Sequence, residues 1–127
     1  MNPACPCGSG APLARCCGPY LADFAGCPAP DAPALMRSRY TAFVREDRAY
    51  LLATWHPAQR PAQLEFEPGV RWLGLEVRAH RLLDGERAEV EFVARSRPPA
   101  GRAVRLHERS RFTRENGRWY YLDGDML

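Results

Sequence analysis

A chain of 127 residues, 46% of them hydrophobic, has enough apolar material for one core and too little length for two independent domains. No apolar run approaches the roughly eighteen residues that cross a bilayer, and Met1-Asn2-Pro3-Ala4 lacks the basic and apolar regions of a secretion signal, so a soluble cytoplasmic protein is expected. The formal charge is only +3, and every basic residue is Arg with no Lys, which fits biased codon usage better than a nucleic-acid surface.

The chain opens on its sharpest signal. Cys5-Pro6-Cys7-Gly8-Ser9-Gly10 followed by Cys16-Cys17 sets four thiols within the first seventeen residues. Five cysteines in a chain expected to stay in a reducing compartment argue against disulfides, and their odd count would leave one unpaired. Zinc takes four thiolates in a tetrahedron, and two ligands one residue apart reach a single ion only if the chain curls round it. Gly8, Ser9 and Gly10 supply the curl and bring backbone amides to the sulfurs. Cys5, Cys7, Cys16 and Cys17 are therefore the expected ligands, with Arg15 beside them to offset the excess negative charge. Four sulfurs leave no open position for water, so the ion is expected to hold structure or dock a partner and to perform no hydrolysis. The alternative is four free or redox-active thiols. Cys27, among Gly26 and Pro28, is expected to stand outside the site.

Residues 18–33 carry Pro19, Pro28, Pro30 and Pro33 and read as a tether, making residues 1–30 an appendage to a main domain over 31–127. Asp31 or Ala32 can cap a first helix, with Pro33 in its first turn and Leu35, Met36, Tyr40, Phe43 and Val44 on its apolar side, ending near Arg45. Asp47 caps a second helix carrying Tyr50, Leu51, Leu52 and Trp55, which Pro57 ends. A connector over 56–69 is expected to include a short helical turn. From Trp72 the period falls to two: Leu73, Leu75, Val77 and Ala79 alternate with Gly74, Glu76, Arg78 and His80. The turn Asp84-Gly85 leads to a second strand with Val90, Phe92 and Ala94 on one face. After Pro98-Pro99-Ala100-Gly101, a third strand aligns Val104, Leu106, Glu108, Ser110 and Phe112. Asn116-Gly117 is a strong hairpin turn, and a fourth strand follows over 118–122. Helices first and an antiparallel meander second make an α+β fold with helices on one face of a curved sheet.

The run Cys5-Pro6-Cys7-Gly8-Ser9-Gly10 with Cys16-Cys17 resembles the SEC-C motif, a small zinc element found at the carboxyl end of the SecA motor and in many other bacterial proteins. The rest is similar to the YchJ family in Leu35-Met36-Arg37-Ser38-Arg39-Tyr40, Thr54-Trp55-His56-Pro57, Trp72-Leu73-Gly74-Leu75, Glu91-Phe92-Val93-Ala94-Arg95, His107-Glu108-Arg109-Ser110-Arg111-Phe112 and Gly117-Arg118-Trp119-Tyr120-Tyr121. The resemblance implies a cone-shaped domain like nuclear transport factor 2, in which a bent sheet and its helices enclose a pocket. Some YchJ relatives carry a second SEC-C element at the carboxyl end, and Asp123-Gly124-Asp125-Met126-Leu127 is expected to end this chain without one. The resemblance assigns no activity.

In such a cone the face carrying Glu108 and Ser110 lines the cavity, making Glu108 a candidate base or anchor with Arg39 or Arg37 as its cation. His56 is the candidate acid or base, set against a capping or packing role. Arg39, Tyr40, Trp55, His56 and Glu108 are the expected pocket residues. His80 and His107 fall on the outer strand faces. The aromatic residues Tyr40, Trp55, Trp72, Trp119, Tyr120 and Tyr121 suit a core first and a ligand pocket second. Arg105, Arg109, Arg111, Arg114 and Arg118 are aligned to form a basic stripe on the outer sheet. The leading expectation is a zinc hook that docks a protein partner beside a cone that binds a partner or small molecule. The alternative is a small isomerase or hydrolase using His56 and Glu108. An open sheet face with Val93 would allow a homodimer.

Overall fold

The computed structural model describes residues 3–127; Met1 and Asn2, part of the amino terminus read above for a secretion signal, lie outside the described residues. The main domain is built from two helices laid on a four-stranded antiparallel meander, the α+β arrangement that the order of elements predicts. Among the described residues no helix is long and apolar enough to cross a membrane.

A short helix, α1 (Gly18–Ala22), starts from Cys17 with Pro19 in its first turn. The main helix, α2 (Ala32–Val44), is capped by Asp31, whose carboxylate accepts from the Ala34 amide at 2.8 Å. Helix α3 (Arg48–Ala53) is capped in the same way by Asp47, which accepts from the Tyr50 amide at 3.0 Å. Both caps follow the expected pattern, each satisfying an orphan amide of the first turn. The helix α3 stops at Ala53, short of Trp55, and the connector 56–69 contains a turn at 57–59 but no helix. Its backbone instead follows the sheet: His56 N donates to Tyr121 O and Tyr121 N donates to Thr54 O, both at 2.8 Å.

The strands β1 (Arg71–Asp84), β2 (Arg87–Arg97), β3 (Val104–Glu115) and β4 (Arg118–Met126) pair in sequence order. Asn116 and Gly117 both take positive φ, 53° and 74°, as a tight primed hairpin requires. On β2, Ala88, Val90, Phe92 and Ala94 point inward against Leu35, Met36 and Tyr40 of α2, and Phe112 and Trp119 close the same core. Val93 on the opposite side is fully buried between its register partners Glu76 and His107. Val93 itself therefore offers no open apolar surface.

Two bulges redirect side chains that alternation alone misplaces. Between Trp72 and Gly74 the register skips Leu73. Trp72 and Leu75 therefore both face inward and Leu73 is 48% exposed, although alternation puts Leu73 and Leu75 on one face. Between Arg111 and Phe112 the register skips Leu122 on β4, so Tyr121 faces inward while Asp123 and Asp125 turn outward. There they meet Arg111, whose guanidinium reaches Asp123 Oδ1 at 2.5 Å and Asp125 Oδ2 at 2.6 Å. This pairing carries β4 four residues beyond its expected end at Leu122.

Such pairs interrupt the expected basic stripe at Arg109 and Arg111. Arg111 is matched by two aspartates, Arg109 stands 3.8 Å from Glu91, and Arg118 donates to the backbone oxygens of Phe24 and Ala25. Bonding to Arg111 holds the Asp125 carboxyl below the usual range. A carboxyl whose folded pKa lies below its unfolded value contributes fully at neutral pH and loses that contribution as acid titrates it below about pH 4. Arg111→Ala is expected to lower Tm slightly at neutral pH and low salt, with the difference from the parent shrinking in high salt and as the pH falls below about 4. Melting curves of both proteins across that range check it.

Residues 18–30 are not a free tether. Phe24 meets Tyr50 of α3 edge-on at 6.1 Å between centroids and lies under the Arg118 guanidinium at 4.6 Å, and Cys5, Cys7 and Cys17 belong to the core cluster of α2 and the sheet. The prolines block a long helix, as expected, but they do not prevent docking.

Candidate metal centre and interior cavity

The hook is a clasp. Ala4 bridges Pro12 antiparallel, Cys5 N donates to Ala11 O and Leu13 N donates to Pro3 O, both at 2.9 Å, and Gly8 and Gly10 turn the chain with φ of 80° and 87°. A 3-10 turn, Leu13–Arg15, then delivers Cys16 and Cys17 to the same point. All four sulfurs lie within 4.8 Å of one another, with Cys7 and Cys16 at 3.6 Å and Cys16 and Cys17 at 3.9 Å. Sulfurs about 2.3 Å from a tetrahedral ion stand about 3.8 Å apart. The cluster can therefore hold a metal ion without rebuilding its backbone. Cys27 is not in it.

The surroundings suit thiolates. The Ser9 hydroxyl is 3.1 Å from Cys16 Sγ, the Thr41 hydroxyl is 3.7 Å from Cys5 Sγ, and the Arg37 guanidinium donates to Cys7 O at 3.0 Å and reaches Cys7 Sγ at 3.9 Å. The hydrogen bond from Cys17 leads in pulling the Cys7 thiol down to about 4, against the opposing effect of burial, and Ser9 adds to it. Cys17 is pushed up by that same bond and by burial, and Cys16 is raised chiefly by burial. Of these three sulfurs, Cys7 is the one held toward the thiolate. The cation beside it is Arg37 from α2, whereas Arg15 is exposed. Nothing in the spacing of Arg37 from the cysteines signals this contact, which depends on the hook docking on α2.

On the other side of α2 lies a cavity of about 280 Å³, lined by Met36, Arg39, Tyr40 and Phe43 of that helix, by Trp55, Trp72, Phe92, Ala94, Leu106, Glu108 and Ser110, and by Tyr121. Four of the five expected pocket residues are here: Arg39, Tyr40, Trp55 and Glu108. So are Trp72 and Tyr121, aromatic residues read first as core. A second cavity of about 340 Å³ shares Phe43 and Trp72 and is lined by Glu46, Glu65 and Glu67; it holds none of the expected residues.

His56 is the exception. Its Nε2 pairs with Glu115 Oε1 at 2.8 Å and its Nδ1 accepts from the Ala58 amide at 3.0 Å, outside the cavity. Trp55 forms a parallel bridge with Tyr121, and its ring meets Tyr121 at 5.3 Å, so the next residue along the chain turns away. An acid–base pair of His56 with Glu108 is therefore not assembled. His80 is exposed, and His107 pairs with Glu91 at 2.8 Å on the outer face.

Nor does Glu108 form an ion pair with Arg39. Arg39 is 5% exposed, spends Nη1 on Leu51 O at 2.8 Å and Thr54 Oγ1 at 2.6 Å, and lies over the rings of Tyr121 at 4.6 Å and Trp55 at 5.3 Å. Burial lowers its pKa to about 10, so it stays charged at neutral pH. Glu108 instead accepts from the Ser110 hydroxyl. A Cβ on Gly124, which stands opposite Ser110, would come within 2.6 Å of Glu108 Oε2, so a larger residue there would displace the carboxylate. Trp55 Nε1 is fully buried with no acceptor, an omission that costs about 1–3 kcal/mol.

Residues 1–19 match the SEC-C motif, and residues 31–124 match the family described as YchJ, middle NTF2-like domain. The chain belongs to the YchJ family. It is 68% identical to a UPF0225 protein of Polaromonas sp. (strain JS666), over 95% of this chain and 91% of that one, and 56% identical to one from Xanthomonas oryzae pv. oryzae, over 96% and 94%. Its fold is similar to the solution structure of a SEC-C motif containing protein from Rhodopseudomonas palustris, with a TM-score of 0.87 and 37% identity over 100% of this chain and 99% of that one. A crystal structure of a SEC-C motif containing protein from Psychrobacter arcticus is also similar, with a TM-score of 0.78 and 33% identity over 94% and 80%. The family's hook and cone are thus both present in this chain.

Proposed function

We propose that this YchJ-family chain is a zinc-stabilised binding module in which the metal sets the position of α2 and α2 presents the cavity to a small molecule. The observation that carries the reading is the division of one helix between two sites. Arg37 and Thr41 reach the sulfur cluster, while Met36, Arg39, Tyr40 and Phe43 line the cavity. Zinc suits soft thiolate ligands and the observed sulfur spacing, and a closed four-sulfur shell supplies cross-linking of the fold with no position for substrate.

Binding is favoured over turnover because the cavity contains one carboxyl, Glu108, and no histidine, cysteine or second carboxyl to complete an acid–base or nucleophilic pair. A protein partner at the hook would meet the exposed turn Gly8-Ser9-Gly10 and Arg15, since the sulfurs face inward. The test is the zinc content and sulfur coordination of the purified protein.

A further inference from the structure

We propose that the cavity selects a small planar carboxylate on an apolar ring, with a hydroxyl or amino group on the ring, the chemistry of a hydroxybenzoate. This rests on the reading of the cavity as a small-molecule site and adds the ligand's class and orientation.

Three observations on separate elements converge. From α2, Arg39 brings a buried guanidinium with no carboxylate partner, and only its Nη1 hydrogen-bonds to the protein. From the segment after α3, Trp55 brings an indole N–H that is shut away from solvent and has no acceptor. The guanidinium lies over the Trp55 ring at 5.3 Å, and both residues line the cavity. From β3, Glu108 brings a carboxylate to the same lining, its partner the Ser110 hydroxyl, with acceptor capacity to spare, and its charge is felt by Arg39.

Charge and shape then restrict the ligand. A buried guanidinium without an ion-pair partner is best matched by a carboxylate, which can take its fork geometry, and the same group can accept from the indole. Glu108 repels that carboxylate and favours a donor, which fixes the direction in which the molecule lies. Between the polar groups, Phe92, Leu106, Trp72 and Tyr121 offer flat apolar contact suited to a ring. A volume of about 280 Å³ stands at the lower end of ligand pockets, excluding large cofactors and admitting one small ring compound.

The experiment is isothermal titration of the intact zinc-loaded protein with 4-hydroxybenzoate, 3-hydroxybenzoate, benzoate and benzyl alcohol, alongside tryptophan fluorescence. At least one hydroxybenzoate is expected to bind about tenfold or more tightly than benzyl alcohol, with benzoate between them. Arg39→Met is expected to erase the preference for carboxylate while keeping zinc and the far-UV spectrum. Should Arg39→Met not fold, Trp55→Phe, which removes only the indole donor, is expected to weaken the carboxylates and leave benzyl alcohol unchanged. Equal binding of benzyl alcohol and the carboxylates would overturn the ligand class while leaving a small-molecule cavity. Binding of none of the four would overturn both.

Discussion

Replacing Cys7 with Ser is expected to lower Tm by about 15 °C. Cys7 is completely buried, belongs to the core cluster, and is the sulfur to which both Arg37 and Cys17 are directed. With the zinc proposed above in place, removing one thiolate from the closed shell removes the metal, and metal loss belongs with the mutational effects that exceed about 4 kcal/mol. For a chain of this length each kcal/mol corresponds to roughly 3–5 °C. A chelator should shift the parent protein by a similar amount and leave Cys7→Ser where it is. Cys27→Ser, outside the cluster, should melt with the parent. Calorimetry of the three proteins with and without chelator separates loss of metal from loss of packing, because packing damage alone would add to the chelator's effect.

The second large effect is expected at Phe112, far from the sulfurs in sequence and chemistry. Phe112 is 2% exposed, pairs with Ala88 across the sheet, and meets the Tyr121 ring edge-on at 5.8 Å. Phe112→Ala removes the ring from a core whose neighbouring strands are fixed by the meander, so a cavity remains and the cost is about 3–5 kcal/mol. The same substitution should release Tyr121 and enlarge the adjoining cavity. Denaturant unfolding should show the loss, and the metal content should stay at the parental level. Loss of zinc from Phe112→Ala would mean that the hook depends on the sheet more than on α2.

The two substitutions probe parts of the fold that differ in how far local sequence determines them. The sulfur cluster was legible because its ligands and the glycines that bend the chain lie within one short stretch, and each residue's role is local. Asp31, Asp47 and Asn116-Gly117 were legible for the same reason: a cap or tight turn is decided by neighbours a few positions away. The inward face of β3, including Glu108 and Ser110, followed from simple alternation. Alternation failed at Leu73, where a skipped residue puts its side chain on the other face and no local composition marks the skip; a second skip at Leu122 lies at the expected end of β4.

Long-range contacts were similarly hidden. Arg37 reaches Cys7, and Arg118 holds residues 24 and 25, only because the hook folds back on the domain. The tether reading missed this, since prolines forbid a long helix without forbidding a docked loop. His56 reads as a candidate acid or base because an imidazole ordinarily titrates near neutrality, yet a bridge between Trp55 and Tyr121 sends it to Glu115. The acidic run Asp123-Gly124-Asp125 looked like a strand end. It continues the strand because Arg111 neutralises it on the outer face.

The central claim is that one divalent ion, enclosed by sulfur, anchors α2 and through it the cavity. Zinc-edge X-ray absorption on the purified protein, with elemental analysis of the same sample, tests it most directly. The account predicts one zinc per chain with four sulfurs at about 2.3 Å and no oxygen or nitrogen neighbour. A chain that is fully folded with no bound zinc, or a zinc carrying a solvent oxygen in place of one sulfur, would contradict it.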